Sequence, residues 1–280
     1  VNVVFLSQPD GRWWLVDTGL PWHFNAIVRT SVRLFGPDSR PEAIVLTHAR
    51  PDHAGCASAL ATFWDVPVRL DTAAWGLADG SVAWPRDDAG AGDLAGWLAR
   101  VWCPGPVNLA GLLAPLDELP DGWTAVPLKG PSPGHTGFWR ESDRVLIAGD
   151  ALATVNIESV GGLLRPPAPA LPPAPWILDW ESLRHTWRTI AQMAPAALIC
   201  GHGKPLAGTD VPELLTHFAE YKVMVRHGRH INEPVRLRPD GTFNVVHDIP
   251  DPALAVAKAA GVVLAAGVVI WWMDRRKRRA

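Results

Sequence analysis

Thr47-His48-Ala49-Arg50-Pro51-Asp52-His53 is the stretch on which the fold turns. Two histidines and an aspartate fall within six residues, directly after the short apolar run Ala43–Leu46 and directly before the helix-compatible run Ala54–Phe63. A strand, a polar loop and a helix in that order place the polar cluster at the carboxyl end of a strand, where α/β folds build their sites.

Working outward, the same layout recurs. Gly134-His135-Thr136 follows a strand expected at Thr124–Leu128. Ala148-Gly149-Asp150 ends the apolar run Val145–Ala148, and Gly201-His202-Gly203 ends Ala197–Cys200. Together the four groups supply four histidines and two aspartates at strand-to-loop junctions. Glycine neighbours His135, Asp150 and His202, which suits tight turns and close backbone approach. Taken singly, each histidine reads as an ordinary surface or core residue. Their joint placement beside Asp52 and Asp150 favours a metal site, because imidazole and carboxylate donors suit zinc or a similar borderline metal.

This pattern resembles the metallo-β-lactamase superfamily, whose signature H-x-H-x-D-H is followed by a later His, a later Asp and a last His. Val16-Asp17-Thr18-Gly19, Ser132-Pro133-Gly134-His135-Thr136 and Ile147-Ala148-Gly149-Asp150 agree with it, in the right order over roughly residues 1–230. It looks most similar to the glyoxalase-II-like branch of bacterial metallo-hydrolases. The resemblance implies an α/β fold, a four-layer αββα sandwich with metals in a cleft between the sheets. One site would use His48, the residue at position 50 and His135. The other would use Asp52, His53 and His202, with Asp150 bridging. Asp17 is structural in such proteins. The implied chemistry is hydrolysis of an ester, thioester or amide-like small molecule by a metal-bound hydroxide.

The sequence departs from the family at Arg50. A guanidinium stays protonated and offers no lone pair to a metal. The expectation is therefore one Zn2+ held by Asp52, His53, Asp150 and His202, with two possible and iron or manganese also suited to these donors. His48 and His135 would line the vacated site. Asp52 and Arg50 are the catalytic candidates, Arg50 binding a substrate carboxylate or phosphate. Two other readings stand beside this one. One is a catalytically degenerate binding or scaffold protein at the membrane. The other is an Arg50 turned away into a salt bridge, with a weak second metal on the remaining donors.

The rest of the chain sets limits. Strands are expected at Val1–Leu6 and Trp13–Val16 around the turn Gln8-Pro9-Asp10-Gly11, and helices at Trp22–Phe35, Trp180–Met193 and Pro212–Arg226. The main domain is expected over 1–250. It carries an irregular insertion at about 77–121, with one helix near Leu94–Val101, and an extended loop at 166–175 holding six prolines. Trp75, Trp84, Trp97 and Trp102 read as loop packing, one or two of them lining a pocket. His227 and His230 read as solvated. Cys56, Cys103 and Cys200 are too scattered for a zinc knuckle or a disulfide framework. A net charge of -2 gives no electrostatic case for nucleic acid, and no extra nucleic-acid-processing or flavin domain is visible.

Residues 253–273 contain a single charge, Lys258, end in Ile270-Trp271-Trp272-Met273 and precede a basic tail at 274–280. A hydrophobic C-terminal helix anchoring the chain to a membrane is expected there. With no secretory signal at Val1–Leu6, the domain is expected on the cytoplasmic side.

Overall fold

The structure, a computed structural model, describes residues 1–85, 87–88, 91, 96, 107–157, 159–220, 230–231 and 233–244. The chain divides at Val246. The expected membrane helix at 253–273, the basic tail and the helix near Leu94–Val101 lie outside the described residues. Among the described residues no helix is long and apolar enough to cross a membrane.

The first half runs β1 (Val4–Ser7), β2 (Trp13–Val16), α1 (Phe24–Phe35), β3 (Ile44–Val45), α2 (Pro51–Ala54), α3 (Ala57–Trp64), β4 (Val68–Leu70), α4 (Trp75–Asp79) and β5 (Leu113–Pro115). The second runs β6 (Trp123–Pro127), β7 (Thr136–Arg140), β8 (Val145–Gly149), α5 (Val160–Leu163), α6 (Trp180–Met193), β9 (Ala197–Cys200), β10 (Leu206–Ala207) and α7 (Val211–Glu220). Each half makes one five-stranded mixed sheet, ordered β1-β2-β3-β4-β5 and β10-β9-β8-β7-β6.

The residue pattern explains the layering. In β2 all four residues are buried, because successive side chains point to opposite faces and both faces are covered. Trp13 and Leu15 pack with Ile27, Leu60 and Trp64 from α1 and α3. Trp14 and Val16 face the other sheet, meeting Trp123, Phe138 and Ile147. On the far side, Trp180, Leu183, Trp187 and Ile190 form one buried stripe of α6 at helical spacing, against Leu146, Leu198 and Phe218. Asp179 caps that helix by accepting the Ser182 N–H at 3.0 Å. Helices therefore cover the outer faces of two sheets that share an inner apolar layer.

Several elements depart from the sequence reading. The signature helix breaks in two at Gly55-Cys56, giving α2 and α3. Strands β4, β5, β7 and β10 were not expected. The stretch 77–121 is not wholly irregular, since Leu113–Pro115 pairs in parallel with Val68–Leu70 and extends the first sheet. The proline run is extended, with Ala170 exchanging backbone hydrogen bonds with Ala153.

Candidate metal centre

Six side chains converge from both sheets. His48 and Asp52-His53 come from the loop after β3 and from α2, Asp150 follows β8, His135 precedes β7 and His202 follows β9. His53 Nε2 lies 3.2 Å from Asp150 Oδ1 and 3.8 Å from Asp52 Oδ2. His202 Nε2 lies 3.4 Å from Asp52 Oδ2 and 3.5 Å from Asp150 Oδ1. One donor atom from each of Asp52, His53, Asp150 and His202 fits within 4.8 Å of all the others.

These four donor atoms are buried and lack a hydrogen-bond partner. Unpaired buried polar atoms are costly and rare, and here four of them share one point. The electrostatics agree. Burial opposes protonation of His202, but Asp150 and Asp52 outweigh it and raise its pKa to about 9. Burial likewise opposes a charged His53, and Asp150, Asp17 and Asp52 push it well above the ordinary value. Burial works against an ionised Asp52, yet His53 and His202 hold its carboxyl below the usual range. Asp150 is lowered further by the same two histidines against its own burial. Two carboxylates thus favour positive charge between them, the charge that one divalent cation would supply. The donor set fits a metal.

Partners behind these groups fix their orientation. Asp17 Oδ2 stands 2.7 Å from His53 Nδ1. Its Oδ1 accepts the Thr47 backbone N–H at 2.8 Å. The Thr47 hydroxyl donates to Asp17 Oδ2 at 2.8 Å and accepts from His48 Nδ1 at 2.9 Å. Both His48 and His53 then turn a bare Nε2 toward Asp150. Burial, reinforced by His53, keeps His48 well below its ordinary pKa and neutral. Asp17 itself sits at φ 57, a left-handed backbone that aspartate and asparagine adopt more readily than other non-glycine residues. Gly201 allows the close approach on the other side. A Cβ there would stand 2.3 Å from Asp150 Oδ1 and 2.5 Å from His53 Cε1.

The donors of the other site behave differently. His135 Nδ1 donates to the Leu128 carbonyl at 2.9 Å, and its Nε2 accepts the Asp150 backbone N–H at 3.0 Å. Burial lowers its pKa to about 4. His48 Nε2 is 3.8 Å from Asp150 Oδ2 and has no hydrogen-bond partner.

Arg50 caps α2 through its carbonyl, which accepts from His53 and Ala54, while its side chain turns elsewhere. The guanidinium carbon lies 5.0 Å from the Trp84 ring centre and 5.4 Å from that of Trp176. Nη2 is 3.3 Å and Nη1 3.5 Å from Asp87 Oδ1. Trp176 Nε1 donates to Asp87 Oδ2 at 3.0 Å. Sequence reasoning missed Asp87 and Trp176 and took Trp84 as packing. The hint available was an acidic pair, Asp87-Asp88, in a tryptophan-rich insertion beside a displaced arginine. Asp88 is structural: its carboxylate accepts the His230 N–H at 3.1 Å. His230, expected to be solvated, is buried, with Nδ1 3.1 Å from the Ile177 carbonyl.

Comparison with known proteins shows the family. The model of the metallo-beta-lactamase superfamily matches residues 1–202. The chain is 31% identical over 228 residues to the probable metallo-hydrolase YflN of Bacillus subtilis (strain 168), covering 78% of this chain and 86% of the relative. It is 24% identical over 211 residues to the probable metallo-hydrolase YybB of the same organism, covering 74% and 82%. Among solved structures, TTHA1623 in a di-iron-bound form superposes with a TM-score of 0.51 at 23% identity, over 75% of this chain and 91% of that one. The BLEG-1 B3 metallo-beta-lactamase gives 0.51 at 22% identity, over 75% and 90%. These structural likenesses speak for the fold alone.

Proposed function

The chain belongs to the metallo-β-lactamase superfamily, and from that premise we propose that it is a mononuclear metal-dependent hydrolase acting on an ester, thioester or amide-like bond of a small molecule. The observation that carries the reading is the set of four unpartnered buried donors within 4.8 Å, on Asp52, His53, Asp150 and His202. A divalent metal held there supplies Lewis acidity and activates water, and zinc suits the donors.

One metal rather than two follows from the donors left over. Position 50 offers no lone pair, and its guanidinium is committed to Asp87. His135 has both nitrogens in hydrogen bonds. Among the described residues of the cluster, His48 Nε2 and Asp150 remain for a second ion, and two protein donors make a poor site.

The chain's own groups do the rest. Asp17 and Thr47 hold His53 and His48 in fixed orientations. To Asp52, more exposed than Asp150, we assign the proton of an attacking water. His48, neutral with its proton on Nδ1, turns toward the centre an Nε2 that can only accept. Trp176, with its ring centre 6.4 Å from that of His202, gives the cleft an apolar wall.

Metal analysis of protein grown with zinc tests the reading directly. About one metal per chain is expected, with hydrolysis across a panel of thioesters, lactones and carboxylic esters that His202→Ala abolishes. Metal below about 0.2 per chain removes the basis of the proposal, and two per chain overturns the mononuclear part.

A further inference from the structure

The surroundings of Arg50 have the chemistry of a receptor that is only partly filled. Its side chain is 9% exposed and its guanidinium carbon lies over two indole rings, at 5.0 and 5.4 Å. An arginine so fixed presents its N–H edge in one direction, pre-organised for a planar anion. Asp87 meets that edge poorly. Both Nη atoms approach the same oxygen, at 3.3 and 3.5 Å, whereas charge-assisted N–H···O bonds run about 2.7–2.9 Å and carboxylates favour a two-pronged fork. Arg50 Nε is buried with no hydrogen-bond partner, and so is Trp84 Nε1. The Asp87 side chain is itself 32% exposed, so solvent reaches the pair. A carboxylate is already accepted here, on Arg50 through one oxygen and on Trp176 Nε1 through the other.

We propose that Arg50, Trp84 and Trp176 form a subsite for a carboxylate carried by the substrate, and that the Asp87 carboxylate is its internal stand-in, displaced when substrate binds. An incoming carboxylate that uses Nε together with one Nη satisfies a donor that Asp87 leaves bare. Trp176, whose ring centre is 5.4 Å from the guanidinium carbon, also stands 6.4 Å from the ring centre of His202, which links the subsite to the metal centre. The substrate class is a short-chain ester or thioester bearing a free carboxylate. This deepens the hydrolase reading and rests on it.

Two measurements on the metal-loaded protein separate the subsite from the activity. In kinetics, para-nitrophenyl hemisuccinate is compared with neutral para-nitrophenyl butyrate. The free carboxylate is expected to raise kcat/KM by about tenfold or more, as hydrogen bonds to charged groups do, and Arg50→Met is expected to erase that preference. In calorimetry, glutarate is titrated in without any turnover. Asp87→Asn keeps the shape of the stand-in and removes its charge, so glutarate should bind about tenfold more tightly than to the parent protein. If neither ester is hydrolysed but Asp87→Asn tightens glutarate, the subsite stands and the hydrolase reading falls. If both esters react equally, or glutarate affinity is unchanged or weaker in Asp87→Asn, the subsite is overturned and the Arg50–Asp87 pair is a loop latch.

Discussion

Asp17 Oδ2 lies 2.7 Å from His53 Nδ1, joining the end of the second strand to the middle donor of the metal centre. The carboxylate can only accept, so the proton sits on Nδ1 and the lone pair on Nε2 faces Asp150. The same carboxylate accepts from the Thr47 backbone and hydroxyl. The tautomer of one ligand and the path of the loop that carries it together with Asp52 are therefore set by a single residue.

Asp17→Asn separates those duties. Asparagine tolerates the left-handed backbone at φ 57, so the loop should keep its course. If its amide group donates toward His53, the imidazole must accept at Nδ1 and carry its proton on Nε2, where no metal can then bind. Affinity for zinc should fall about tenfold to a hundredfold, read by competition with a chromophoric chelator. The thermal midpoint should move little. Unchanged affinity would show that Asp17 does not set the tautomer.

Trp13 offers a test of the frame without touching the centre. It is 1% exposed, stacks on Phe35 at 4.6 Å, meets Trp64 edge-on at 5.6 Å and donates from Nε1 to Ser39. Trp13→Ala should cost about 3–5 kcal/mol by denaturant unfolding, with metal content per folded chain unchanged. Trp13→Phe should cost markedly less, since the ring contacts largely survive. Equal losses would mean that the Ser39 hydrogen bond, rather than packing, carries the effect.

These residues show why parts of the molecule were readable in sequence. Strand β2 declares itself through four consecutive apolar residues ending in Asp17, and α6 through a cap at Asp179 and an apolar stripe from Trp180 to Ile190. His48, Asp52, His53, Asp150 and His202 stood out because each follows a strand, a local signal. The company of Arg50 did not, because Asp87 and Trp176 reach it from 37 and 126 residues away. No periodicity or turn chemistry encodes such a meeting. Strand β7 was missed for a local reason: it is short, contains Gly137 and follows a turn-rich run, so propensity spoke against it. Strand β5 was hidden inside a stretch whose glycines and prolines read as loop.

Gly201→Ala tests how tightly the loop after β9 must approach. The glycine's backbone is one that alanine can adopt, because its φ is not positive. The cost is therefore steric. The added carbon would stand 2.3 Å from Asp150 Oδ1 and 2.5 Å from His53 Cε1, far inside contact distance, and both residues are buried. Overpacking of this kind costs about 1–3 kcal/mol, and here it acts on two donors at once. Metal affinity should drop more steeply than folding stability, as seen by comparing chelator competition with the melting midpoint of the metal-free protein. Full metal affinity in this variant would mean that the loop can retreat without disturbing Asp150.

Arg50→His tests whether one substitution separates this chain from a two-metal centre. An imidazole at position 50 adds a third nitrogen donor beside His48 Nε2, which is already bare. His135 would have to release the Asp150 backbone N–H from its Nε2, a net loss of about 1 kcal/mol for an ordinary hydrogen bond. Structural zinc sites gain about 10–16 kcal/mol in total, so the exchange favours coordination. Metal content at saturating zinc should rise from one per chain toward two, and the second equivalent should bind more weakly, because the Asp87 and Trp176 contacts that now fix the neighbouring segments go with the guanidinium. A stoichiometry that stays at one would locate the block at His135 rather than at position 50. His135→Ala in the otherwise unchanged protein should then leave the single metal in place, since that histidine donates nothing to it.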